Sequence, residues 1–193
     1  MMNAVTLLSN QIKSSHNDLR YIMSDVTDEM AHWRPSGNAH PIGSRYVHAV
    51  FSADAFIPGL FSGAPPLFAG EWAGKTGASE PHPLLTEQGW TPVNESGEPQ
   101  PIEGDVLHGW AHSVTVDLEA TKAYAEAVYS ACLETLSAMS ADDLEKTVDL
   151  SSIGLGVMST AAVISLAGVT HIHDVIGEIA AVKGLQGAQG FAV

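Results

Sequence analysis

The chemistry legible in this sequence starts at His171, inside the stretch Thr170-His-Ile-His-Asp-Val-Ile-Gly-Glu-Ile-Ala-Ala-Val-Lys183. Wound as a helix, this stretch and the residues before it place Ile164, Gly168, His171, Val175, Ile179 and Val182 on one stripe. Val169, Ile172, Ile176 and Ala180 fill the neighbouring stripes. A helix apolar round most of its circumference belongs among other helices. An imidazole on its inner stripe is poorly solvated and needs a partner, either a hydrogen-bond acceptor or a metal ion. A candidate partner lies far upstream, His48 in Pro41-Ile-Gly-Ser-Arg-Tyr-Val-His48-Ala-Val-Phe-Ser-Ala-Asp54. Its same-face neighbours Ser44, Ser52 and Ala55 are small. They leave room for an ion, a water or a ligand, and they equally suit close helix packing.

Four long segments are available to position these histidines. The first helix is expected over Val5–Asp25, with Val5, Leu8, Ile12, Ser15, Leu19, Ile22 and Val26 inward and His16 at the edge or surface. A short helical turn starts at Thr27, and Trp33 to Pro41 forms a connection in which Trp33 plugs the end of the bundle. Pro41 suits the first position of a second helix reaching Ile57. The third helix is expected over Ser113–Met139 and the last from Ser159 or Thr160 to Gly184. Between them come a short helix from Ser140 to Lys146 and a glycine-containing loop over Leu150–Met158. Residues 58–112 read as an irregular crossover, because eight of the ten prolines fall there and would break any helix. Trp72, Trp90 and Trp110 in or beside it argue for an ordered cover or lid rather than disorder. So long a connection lets the third helix run parallel to the second.

Trp33-Arg-Pro-Ser-Gly, a helix bearing His48, and a last helix with His171, then Gly177-Glu-Ile179 and Lys183-Gly184, together resemble the DinB-like superfamily. The resemblance covers roughly 1–60 and 113–187. It implies an all-α fold, a four-helix bundle running up-down-down-up with a long crossover between helices 2 and 3, here as a single domain over 1–193. It also implies a divalent metal held by one histidine of the second helix and two ligands four residues apart on the last. His48 and His171 match that pattern, while the third position falls on Val175, which cannot bind metal.

The nearest substitute donor is Asp174, about 60° around the helix from His171. The expected ligand set is therefore His48, His171 and Asp174. Two alternatives stand beside it: a metal-free pocket in which His48 and His171 bond each other, and a metal that takes a ligand such as His108 or His112 from the crossover. Those two are spaced i, i+4, but the helical signal around Gly109 is poor. His173 points about 200° away from His171, towards a helix interface or the surface. Glu178 reads as a partner behind a ligand histidine or as an interhelical carboxylate.

A Zn or Ni ion with an open position lowers the pKa of bound water or thiol and polarises carbonyls. The resemblance implies a metal-dependent enzyme that activates a low-molecular-weight thiol in transfer or isomerisation of a small-molecule substrate. The alternatives are a metal-poor helical binding or dimerisation module and a metal-dependent hydrolase.

Composition limits the field further. The chain has 193 residues, enough for one domain with a sizeable core. A net charge of −14 with only 8 Lys and Arg leaves no clustered cations for a phosphate backbone, so no nucleic acid is expected. No apolar run approaches the roughly 18 residues of a membrane span, and no membrane is expected. Cys132 is the single cysteine, so no intrachain disulfide forms, and a buried thiol is expected. The expected protein is cytoplasmic and pairs as a homodimer through exposed bundle faces.

Overall fold

A computed structural model describes residues 3–83, 85–86, 89–90 and 104–191. Pro92, Pro99 and Pro101 of the crossover lie outside the described residues.

Side-chain caps set most helix starts. Asn3 accepts a hydrogen bond from the Thr6 amide at 2.8 Å and opens α1 (Ala4–Ile22). Thr27 caps α2 (Asp28–His32), and Pro41, with no N–H to lose, precedes α3 (Ile42–Phe56). The chain continues through α4 (Pro58–Phe61), a 3₁₀ turn (Leu67–Ala69), the strands β1 (Leu85–Thr86) and β2 (Gly89–Trp90), and α5 (Gly104–Ser113). Asp117 then caps α6 (Leu118–Ser137), and a Ser140–Asp143 capping box starts α7 (Ala141–Glu145). Strands β3 (Thr147–Leu150) and β4 (Gly156–Ser159) pair antiparallel. Ser159 caps α8 (Thr160–Ser165), which passes through a π-helical turn (Leu166–Thr170) into α9 (His171–Leu185).

The fold is mostly helical. α3 lies against α6 and α9, and α1 lies against the same two helices. Ile12, Val50, Tyr124, Ile172 and Ile179 are completely buried between them. Residues Thr160–Leu185 form a rod of 26 residues, apolar enough by mean hydropathy to cross a membrane, where the sequence suggested no such run. Its apolar side chains Val163, Ile164, Ile172, Val175 and Ile179 fill the core instead.

The π turn is held in place by its neighbours. A Cβ on Gly168 would come within 3.0 Å of the Ile12 and Ile57 side chains, and Ser15 Oγ donates to the Gly168 carbonyl at 2.6 Å. Such a turn shifts the helical register. Here it ends at His171 and so helps fix where that imidazole points.

The crossover is less irregular than the prolines imply. Asp54, fully buried, accepts from the Leu67 and Phe68 amides at 2.9 Å each and from Tyr124 Oη at 2.6 Å, tying the start of the crossover to α3 and α6. Further on, the Ser79 amide donates to Thr115 O, and the Val116 amide donates to His32 Nε2. The segment around His108 and His112 is helical, because α5 is a separate helix. The third long helix accordingly starts at Asp117 rather than Ser113. The expected loop over Leu150–Met158 is the hairpin of β3 and β4, turned by Gly154 at φ +81° and Gly156 at φ +69°. Trp33 is 37% exposed and plugs nothing.

His16 is not the surface residue its stripe position suggested. It is 1% exposed and stacked on Tyr129 with ring centroids 3.7 Å apart, and neither ring nitrogen has a hydrogen-bond partner. Burial first, then the Arg20 charge, pushes its pKa down to about 3. The unfolded chain therefore takes up a proton near pH 6.5 that the folded one refuses. Stability is present above that pH and is lost as pH falls towards 3, by about 1.4 kcal/mol per unit. Urea unfolding at pH 7 and pH 5 should show wild type losing about 2 kcal/mol more than His16→Leu. Equal losses in the two proteins would remove His16 as the cause. Asp54→Ala, which strands three donors, should cost about 3 kcal/mol at pH 7, read as a lower urea midpoint with unchanged slope.

Candidate functional site

Three imidazoles from three parts of the chain meet at the inner face of α3. His48 comes from α3, His171 from the first turn of α9, and His82 from the crossover. His48 Nε2 lies 3.1 Å from His171 Nε2, and His48 Nδ1 lies 2.9 Å from His82 Nε2. His48 is 8% exposed and His82 3%. The two sequence candidates His48 and His171 are therefore together, as expected. His82 was missed. It has no helical periodicity to mark it, and the only local signal is Pro81-His82-Pro83, where two prolines stiffen the backbone on both sides.

The three rings are kept neutral near pH 7. Burial pushes the His48 pKa well down, with help from His82 and Arg45. Burial, then Arg45 and His171, brings His82 to about 3. His171 is lowered by burial and Arg45, with Asp174 pulling the other way. Arg45 itself is held between the rings and α9 by Glu178, with Nη2 to Oε1 at 2.9 Å. Glu178 is thus an interhelical carboxylate.

A cavity of about 260 Å³ opens beside these rings, lined by His48, His171 and Ser52 among Phe56, Ile153, Leu155, Leu166 and Ala167. Its wall is apolar apart from the two imidazoles and one hydroxyl. The π turn supplies Leu166 and Ala167, and the turn between β3 and β4 supplies Ile153 and Leu155.

Do these residues fit a metal? Two nitrogens on one tetrahedral zinc, each at 2.0–2.1 Å, are about 3.3 Å apart. The His48–His171 spacing is close to that. His82 bonds the far nitrogen of His48, the arrangement that fixes the tautomer and ring direction of a ligand histidine. The third position, Val175, is completely buried and offers no donor. Asp174 is exposed on α9, and the donor atoms of His48, His171 and Asp174 are not gathered within 4.8 Å of one another. Two donors of the expected set fit an ion, and the third does not reach it.

The one group of three metal donors so gathered among the described residues is His40, His108 and His112, a cluster that could hold a metal ion. Helix α5 brings His108 and His112 to one face, and His40 Nε2 sits 3.0 Å from His108 Nδ1. His173 faces away, bonded to Val169 O and 3.3 Å from Asp18. Cys132 is fully buried, and burial pushes its thiol well up, so it supplies no thiolate.

No curated protein matches this chain. Its fold is similar to the crystal structure of a conserved protein from Enterococcus faecalis, with a TM-score of 0.68 at 15% identity, over 95% of this chain and 99% of that one. The sequence profile of the DinB superfamily matches residues 11–174, which contain His48, His82 and His171. The chain belongs to the DinB superfamily.

Proposed function

We propose that this protein is a metal-dependent enzyme acting on a small, partly apolar molecule in the cavity beside His48 and His171. The observation that carries this reading is the 3.1 Å approach of two neutral Nε2 atoms at the cavity wall, with His82 bonded to the other nitrogen of His48. His48 and His171 would hold a Zn or Ni ion, and Asp174, exposed on α9, would have to turn in to complete the set. The bound ion would supply Lewis acidity and a lowered pKa for water or for a low-molecular-weight thiol at its open position. In this reading the four long helices form the up-down-down-up bundle of the family. In this reading the reaction is a thiol-dependent transfer or isomerisation rather than hydrolysis, because among the described residues no carboxylate lines the cavity to act as a general base for water.

The protein's own residues then have distinct tasks. In this reading His48 would donate its Nδ1 proton to His82 Nε2, which would leave the Nε2 lone pair of His48 facing His171. Burial first, and the Arg45 charge behind it, keep these rings unprotonated, and Arg45 is itself held by Glu178. Phe56, Ile153, Leu155 and Leu166 exclude water and bind the apolar part of the substrate, while Ser52 offers one hydroxyl to orient it.

A second reading rests on Val175. With an aliphatic side chain in place of the third donor, the same cavity serves as a metal-poor binding module, and His171 simply bonds His48. Elemental analysis of protein purified without a nickel column separates the two. The enzyme reading expects His48→Ala to lower the metal content by one ion per chain and Val175→His to hold that ion more tightly. An ion content untouched by His48→Ala would leave only the binding module. Ion at a hundredfold excess over its dissociation constant should stabilise wild type by about 2.7 kcal/mol.

A further inference from the structure

We propose that His40, His108 and His112 form a second metal site, separate from the cavity, whose ion clamps the end of the crossover onto the start of α3. The three ligand atoms already lie within 4.8 Å of one another, and His40 Nε2 and His108 Nδ1 are 3.0 Å apart. Nitrogens sharing a zinc are about 3.3 Å apart, so the cluster closes on an ion by side-chain movements of about 1.5 Å or less. The rings are edge to face, with centroids 4.5 Å apart for His108 and His112 and 5.3 Å for His40 and His112. Three imidazoles select borderline ions such as Zn(II), Ni(II) or Co(II), and three protein ligands leave a fourth position for water.

The backbone explains why the three converge. His108 and His112 are one turn apart on α5, so both point the same way. His40 is held just ahead of α3, between Ala39 and Pro41, and Pro41 fixes the chain direction as the helix starts. Burial, Arg45 and the two other imidazoles lower the His40 pKa to about 4, and burial, His108 and Arg34 lower that of His112. Arg34 and Arg45 add positive charge that disfavours a dication, but Glu178 already offsets Arg45.

The site has a consequence for the cavity. Between His108 and His112, α5 carries Trp110, which is 6% exposed and lies against His82 with ring centroids 4.7 Å apart. His82 in turn bonds His48. An ion that fixes α5 therefore fixes the ring standing behind His48. The clamp is a positioning site for the cavity and takes no part in the chemistry itself.

The test is zinc titration of chelator-treated, full-length protein, read by bound metal per chain and by amide exchange over residues 104–113. His48→Ala should still bind one zinc and still gain protection over 104–113. His108→Gln/His112→Gln should lose that zinc, with apparent affinity down about a hundredfold or more, since even partners behind the ligands are worth 10–100-fold. Far-UV circular dichroism confirms that the variant is folded, and His40→Gln provides the check from the other side of the clamp. The proposal is overturned if His108→Gln/His112→Gln added to His48→Ala leaves that variant's one zinc in place, or if zinc leaves the exchange of 104–113 unchanged. The cavity reading fails by a different result, a metal content indifferent to His48→Ala.

Discussion

An imidazole placed inside a bundle of helices must find partners, and His48 finds two that the local sequence does not provide. It is 8% exposed, so leaving either nitrogen unbonded would cost about 1–3 kcal/mol. One partner arrives on α9 and the other on the crossover. This requirement ties together elements that are otherwise far apart in the chain. It needs α9 to turn His171 inward, which the π turn at Leu166–Thr170 and the close approach at Gly168 arrange. It also needs the crossover to come back over α3 after leaving it. Asp54 begins that return by holding the Leu67 and Phe68 amides.

The same interior holds an aliphatic side chain at the position where the resemblance to DinB-like proteins implies a metal donor. Val175 is wholly buried among the core residues of α9. Its apolar side chain there is worth about 1.5–3 kcal/mol of burial, whereas an imidazole without an ion would be one more buried polar group needing a partner. Valine stabilises the bundle in the absence of metal and weakens any site beside it. His82 changes the consequence for the remaining histidines. A ligand histidine oriented by a bonded partner loses less order on binding than one that turns freely, so two well-directed donors retain part of what a looser set of three would give.

Much of this was legible in the residues. The convergence of His48 and His171 followed from the apolar stripe that carries His171 and from the resemblance that pairs it with His48. The extents of α1, of α3 and of the rod from α8 to α9 were readable from helical periodicity, to within a few residues. Three features were not. His82 stands in an extended Pro-flanked segment, where no period reveals which way a side chain points. His16 lay one position off an apolar stripe, and only the neighbouring α6, with Tyr129, decides that this edge is covered. Helix α5 was hidden by glycines at 104 and 109, since propensity alone disfavours a helix that packing of Trp110 and Ala111 then supports. Asp174 was chosen for its distance along the helix. The structure shows that a 60° offset is enough to leave a short carboxylate in solvent.

The hydrogen-bond sense of the imidazole chain follows from counting protons. A neutral imidazole has one donor and one acceptor, so His48 in the middle must donate to one neighbour and accept from the other. If it donates from Nδ1 to His82, its Nε2 accepts the proton of His171 Nε2. If it donates from Nε2 to His171, then His82 must donate to His48 Nδ1. Only the first arrangement directs the lone pair of His48 towards α9 and the cavity. In that arrangement the two Nε2 atoms share the single proton of His171, and the bond from His48 to His82 stands apart from it. His82 Nε2 is thus the acceptor on which that sense of the chain depends, and the Trp110 face of α5 lies against its ring.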